Sequence, residues 1–134
     1  MKKKTNHRQG VFKPAGRRVW PHEDRAARIL AEAGHYVEFL PERNVSSPDI
    51  LLDGIEYELK SPRSSNSNSM EHLIKDALYK KHCPNIVFDS LRLKDARDDK
   101  ICNFLISQAK TRKRIKNLLF INKSKKIIDI FTLI

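Results

Sequence analysis

The chain has 134 residues, 40% hydrophobic and 32% charged, enough for one domain with a modest core and too few for two conventional domains. No apolar run approaches the roughly 20 residues of a membrane-spanning helix, so such a helix is excluded. The net charge of +11 points to a polyanionic partner, nucleic acid before an anionic membrane surface, because no segment joins its basic residues to a broad apolar helical face.

The charge sits at the two ends. Residues 1–20 carry seven basic residues and no acid, residues 110–134 carry eight and one, and the middle is mildly acidic. The lysine-rich start, with no apolar stretch behind it, is not expected to act as a secretory signal. Gly10, Pro14 and Gly16 break any periodicity, so residues 1–20 are expected to form a basic arm, ordered only near Val19 and Trp20, ahead of a domain over 21–134. Cys83 and Cys102 form no CxxC, which leaves two free thiols and no cysteine-rich zinc site.

Pro21 suits a first helical turn, and Ala26, Ile29, Leu30 and Ala33 repeat as an amphipathic helix that Gly34 stops. Residues 35–40 read as a strand closed by Pro41. Residues 48–52 read as a second, Asp53-Gly54 as a hairpin turn, and 55–60 as an alternating third strand. The polar stretch 61–69 reads as a loop. Met70, Leu73, Ile74, Ala77 and Leu78 mark a second helix ending near Cys83-Pro84. A buried strand follows at 85–89, and a third helix opens among Asp95, Asp98 and Asp99. Strands at 117–121 and 126–131 close the chain. The predicted order α-β-β-β-α-β-α-β-β argues for a mixed sheet flanked by helices.

One group of residues has the makings of a chemical site. Glu58 and Lys60 share a face of their strand, and the hairpin brings Asp49 alongside them on its neighbour. Two carboxylates suit a hard divalent cation such as Mg²⁺, which activates water and polarises a phosphoryl oxygen. A lysine beside them can hold the phosphate, stabilise transition-state charge or orient the water. Alternating Glu and Lys is also how an ordinary exposed strand face looks.

Pro48-Asp49, a hairpin and Glu58-Leu59-Lys60 resemble the PD-(D/E)XK nuclease motif, and the element order resembles that superfamily's restriction-endonuclease-like core. His22-Glu23-Asp24 before an Ala-rich helix, then Gly34 to Glu42, Ser47-Pro48-Asp49-Ile50 and Tyr57 to Pro62, are similar to the C-terminal tRNase toxin domain of contact-dependent growth inhibition proteins. The resemblance implies an α/β nuclease acting on tRNA in the bacterial cytosol after delivery into a target cell. It implies metal ligands at Asp49 and Glu58, a catalytic lysine at Lys60 and a further acid at Glu23. Mg²⁺ is the implied metal, with Mn²⁺ or Zn²⁺ as substitutes, and an acidic immunity protein is an implied partner. Glu23 also extends the apolar stripe of the first helix, where a carboxylate wants a partner; equally, it is an acid suited to a helix N-terminus. A DNA endonuclease or junction resolvase on the same fold, and a non-catalytic nucleic-acid-binding module, are the competing readings.

Candidate phosphate contacts are Arg63, Lys80, Lys81, Lys110, Arg112, Lys113, Arg114 and Lys116. All of these but Arg63 also suit a solvated helix end. Arg63 and its Ser/Asn-rich surroundings either close over substrate or are a plain linker. Trp20 either stacks on a base or pins the arm to the domain.

Overall fold

The computed structural model describes residues 8–41 and 47–134. The first seven residues of the expected arm, and Glu42, lie outside the described residues. The elements are β1 (Gly10–Phe12), α1 (Pro21–Glu32), β2 (Tyr36–Phe39), β3 (Ile50–Leu52), β4 (Ile55–Lys60), α2 (Ser67–Lys75), a π-helical turn (Asp76–Lys80), β5 (Asn85–Asp89), α3 (Asp98–Thr111), β6 (Asn117–Ile121), β7 (Ile127–Asp129) and a final 3₁₀ turn (Ile130–Leu133). Among the described residues the strands form one seven-stranded sheet in sequence order. β1–β2, β4–β5 and β5–β6 are parallel; the other pairs are antiparallel.

Helices cover both faces of the sheet. On β5, Ile86 and Phe88 join one core with Met70, Ile74, Leu105 and Phe120, beneath α2 and α3. Val87 points the other way and joins Ala27, Leu30, Phe39 and Ile121 beneath α1. The unbroken apolar run Ile86-Val87-Phe88 is thus what a strand buried on both faces requires.

β4 holds the two halves of the sheet together. Its first half pairs antiparallel with β3, ending at Ile50↔Tyr57. Its second half pairs parallel with β5, starting at Glu58↔Ile86. At Glu58, therefore, β4 leaves one partner and takes up another.

Three local readings need correction. The arm contains a strand: Gly10–Phe12 pairs with β2, Val11 and Val19 pack on the α1 core, and Arg17 Nε donates to the Leu40 carbonyl at 2.9 Å. A three-residue edge strand between glycine and proline breakers has no periodicity to reveal it. The 61–69 loop is shorter than expected, because Asn66 caps α2 by accepting from the backbone N–H groups of Asn68 and Ser69. Beyond Lys75 the second helix widens into a π turn, with Lys81 N–H bonded to the Asp76 carbonyl at 3.0 Å. Smaller shifts occur at α3, which opens at Asp98 rather than Asp95, and at β7, which stops at Asp129.

The Asp53-Gly54 turn has φ of 51° and 87°, as a primed hairpin turn needs. A Cβ on Gly54 would meet nothing within 4 Å, so a substitution there strains only the backbone. Gly54→Ala is expected to cost about 1 kcal/mol, read from the urea midpoint at unchanged m-value.

Candidate functional site

Where β4 changes partner, its backbone loses a neighbour on the β3 side. The Asp49 carboxylate fills in: its Oδ2 accepts the Leu59 N–H at 2.8 Å. Asp49 is thereby fixed just before β3, beside the strand that carries Glu58 and Lys60. Tyr57 and Leu59 belong to the α1 core, so Glu58 and Lys60 project to the α2 side.

There the π turn meets them. Lys60 Nζ lies 3.2 Å from Glu58 Oε2 and 2.5 Å from Asp76 Oδ2. Lys81 Nζ lies 4.0 Å from the same Glu58 oxygen and donates to the Ser47 carbonyl at 3.4 Å. The i→i+5 bond of the π turn stacks residue 81 over residue 76. Regular α-helical winding would turn the two onto different faces.

Glu58 is 2% exposed, and its Oε1 is buried without a hydrogen-bond partner. Burial first, then the neighbouring Asp49 charge, push its carboxyl up to about 7, against the pull of Lys60 and Lys81. Burial works against the Lys60 ammonium too, but its hydrogen bond to Asp76 and the Glu58 charge outweigh that and hold its pKa above the ordinary range. Burial likewise opposes ionisation of Asp76, and Lys60 overcomes it, so Asp76 stays below the usual carboxylate range.

The structure thus gathers Asp49, Glu58, Lys60 and Lys81, and adds Asp76, which no sequence motif marked. Its only trace in the sequence is an acid adjoining the apolar stripe of Ile74, Ala77 and Leu78. Glu23 is engaged elsewhere. It stands in the first turn of α1, on the opposite side of the sheet from α2. Its Oε1 accepts the Trp20 N–H at 3.0 Å and lies 3.6 Å from Arg17 Nη1. The helix-start reading accounts for these contacts.

The donor set suits a divalent cation in part. Two neighbouring carboxylates, one with an orphaned buried oxygen, are the hard ligands such an ion takes. Among the described residues, however, no three His, Cys, Asp or Glu side chains are gathered tightly enough to hold a metal by themselves. Waters or a substrate phosphate would have to complete the coordination, as is usual for Mg²⁺.

The basic candidates divide. Arg112 bridges α3 to α2, donating to Glu71 Oε2 and Gln108 Oε1 at 2.6 Å each, so its fork is spent on packing. Lys80 and Lys110 are exposed. Lys113, Arg114 and Lys116 line a cleft of about 410 Å³ with Leu78 and His82, and the Arg114 guanidinium stacks 5.2 Å over Tyr79. Arg63 belongs to a larger cleft of about 970 Å³ at the far end of the sheet.

Fold and site together define a mixed α/β domain with a buried acid–lysine cluster on a split sheet. The sequence pattern of the contact-dependent growth inhibition CdiA C-terminal domain matches residues 46–127, more than half of the chain. The chain belongs to that family, a growth-inhibition toxin domain. A solved structure described as a CdiA-CT/CdiI toxin and immunity complex from Burkholderia pseudomallei is similar at a TM-score of 0.70 and 18% identity, covering 90% of this chain and 98% of that one. At that identity the likeness is one of fold. No curated protein matches the chain significantly. No helix among the described residues is long and apolar enough to cross a membrane.

The raised Glu58 carboxyl has a consequence for stability. The folded state holds this proton more tightly than the unfolded state, so the contribution of Glu58 to stability falls as pH rises from about 4.5 to about 7 and stays low above. In metal-free buffer, Glu58→Gln is expected to remove this fall, leaving a variant more stable than wild type at pH 8 by up to about 3 kcal/mol. Urea denaturation of both proteins at pH 5 and pH 8 measures it; an equal pH dependence in the two would refute the assignment.

Proposed function

We propose that the domain is a metal-dependent endoribonuclease of toxin type that cleaves tRNA on the PD-(D/E)XK plan. The observation that carries this reading is the cluster of Asp49 and Lys60 around the buried Glu58 at the split of the sheet. Membership in a growth-inhibition family supports it, because destroying tRNA stops growth. The basic surface of the domain supports a polyanionic substrate.

Each residue then has a task. Asp49 and Glu58 would hold a divalent cation, which would supply charge neutralisation at the phosphoryl group and a more acidic bound water. Lys60 donates to a non-bridging oxygen of the scissile phosphate and offsets the charge that builds up during in-line attack. Asp76 keeps the Lys60 ammonium charged and aimed. Lys81 adds positive charge beside the same Glu58 oxygen that Lys60 meets. The products are a 5′-phosphate and a 3′-hydroxyl. The fold neighbour is described with an immunity protein; for this chain the corresponding partner would be an acidic protein that covers basic surface, bound less readily as salt rises.

Purified protein is incubated with total tRNA, duplex DNA and single-stranded DNA, with Mg²⁺, Mn²⁺, Zn²⁺ or EDTA. The expected result is discrete tRNA fragments in the presence of metal, none in EDTA and none with Asp49→Ala. Lys60→Ala is expected to lose about 10²–10³-fold in rate, and wild-type cleavage by that variant would sink the site. Cleaved DNA beside intact tRNA would replace the substrate and keep the chemistry. Asp76→Asn is expected to lower kcat with little change in KM, since Asp76 acts through Lys60 and not on the substrate.

A further inference from the structure

A cleft of about 970 Å³ lies at the C-terminal ends of β4 and β5. Trp20, His22 and Arg25 from the start of α1, Arg63 from the segment after β4, and Arg92 and Lys94 from the segment after β5 line it. Four of these six carry permanent positive charge. The one acid that lines it is Asp95. Buried Asp89 accepts from Leu91 N–H at 2.8 Å and from Ser61 Oγ at 3.3 Å, and its charge opposes those of Arg25, Arg92 and His22.

The four cations of this cleft outnumber the acids beside them, Asp89 and Asp95. Arg25 Nε and Arg92 Nε are buried and have no hydrogen-bond partner among the described residues. Burial, and then the charge of Arg63, pull Arg92 below its ordinary pKa. Burial, and then the charge of Arg92, do the same to His22. Like charges crowded into a concavity with free donors favour a multiply charged anion.

The cleft also adjoins the acid–lysine cluster along the chain. Arg92 Nη2 donates to the carbonyl of Ser61, the residue after Lys60, at 2.6 Å. Arg63 is three residues past Lys60, so their Cα atoms are within about 11 Å of each other. Trp20 is 47% exposed at the rim, with the Arg18 guanidinium 4.2 Å from its ring centroid.

We infer that this cleft binds a single-stranded stretch of polynucleotide that runs on from the acid–lysine cluster, with its phosphates on Arg25, Arg63, Arg92 and Lys94 and a base against Trp20. As an extension of the cleavage site it rests on the nuclease reading; its test does not. Arg63 and Lys94 are both exposed, and truncating them leaves the packing intact.

The experiment is binding of a fluorescein-labelled 12-nucleotide oligo(U) to the full chain in EDTA, followed by anisotropy over a salt series. Arg63→Ala/Lys94→Ala is compared with wild type and with Lys100→Ala/Lys126→Ala, which removes the same charge from other exposed positions. The cleft variant is expected to weaken Kd about tenfold or more, with the slope of log K against log salt shallower by about 1.4, or 0.7 for each lost phosphate contact. The control pair is expected to change the slope by less than half of that. Trp20 is the chain's single tryptophan, so unlabelled oligo(U) is expected to quench the intrinsic fluorescence directly. Equal slopes in the two double variants, or fluorescence unchanged at saturating oligo(U), would overturn the proposal. Because nothing is cleaved in EDTA, a slope change in a protein that never cuts RNA would keep the cleft and remove the nuclease. Cleavage that depends on Asp49, with no slope change, would do the reverse.

Discussion

A carboxylate that is almost wholly buried and still faces another carboxylate is the constraint around which this molecule is arranged. Glu58 is 2% exposed, carries an oxygen with no partner and sits close enough to Asp49 to feel its charge. Left alone it would cost several kcal/mol to ionise. Lys60, itself buried, offsets part of that cost and needs Asp76 to do so. Replacing such a group with well-packed apolar residues is often neutral or stabilising. A fold seeking only stability has little reason to keep it, whereas a site that handles charged phosphates does.

Two departures from regular structure serve the cluster. The sheet splits along β4, and the vacated edge is capped by Asp49 rather than by a strand. The second helix widens at Asp76, which brings Asp76 and Lys81 onto one face over β4. Either departure alone would leave the cluster incomplete: without the split, Asp49 would lie within a ladder, and without the wide turn, Asp76 and Lys81 would diverge. π turns are uncommon and concentrate at functional positions, which agrees with its place here.

The legible parts of the sequence were those with short-range causes. The hairpin was readable because Asp53-Gly54 supplies the positive φ angles the turn demands. The juxtaposition of Asp49 with Glu58 and Lys60 followed from that hairpin and the period of a strand. α1 was readable from its apolar stripe. β1 was hidden, since its three residues are held by an edge pairing with β2 and by packing of Val11, neither of which leaves a local pattern. Asp76 was hidden for a different reason: α-helical periodicity puts it on the wrong face, and nothing in residues 75–81 announces a wider turn. Glu23 carried two readings, and only the contacts with Trp20 and Arg17 separated them.

The placement of charge follows from the same geometry. The acidic and basic groups at Glu58 and Lys60 face α2, while the arginine-lined cleft opens at the C-terminal ends of β4 and β5, and residues 60–63 join the two around the end of β4. A flexible chain of phosphates can pass from one to the other around the end of a single strand. The C-terminal positive region is partly absorbed by packing, as Arg112 shows, whereas Arg25, Arg63 and Arg92 come from the mildly acidic middle of the chain, where net charge gives no hint of them. Net charge counts all these cations alike, and only the fold shows which of them packing ties up, as it does Arg112.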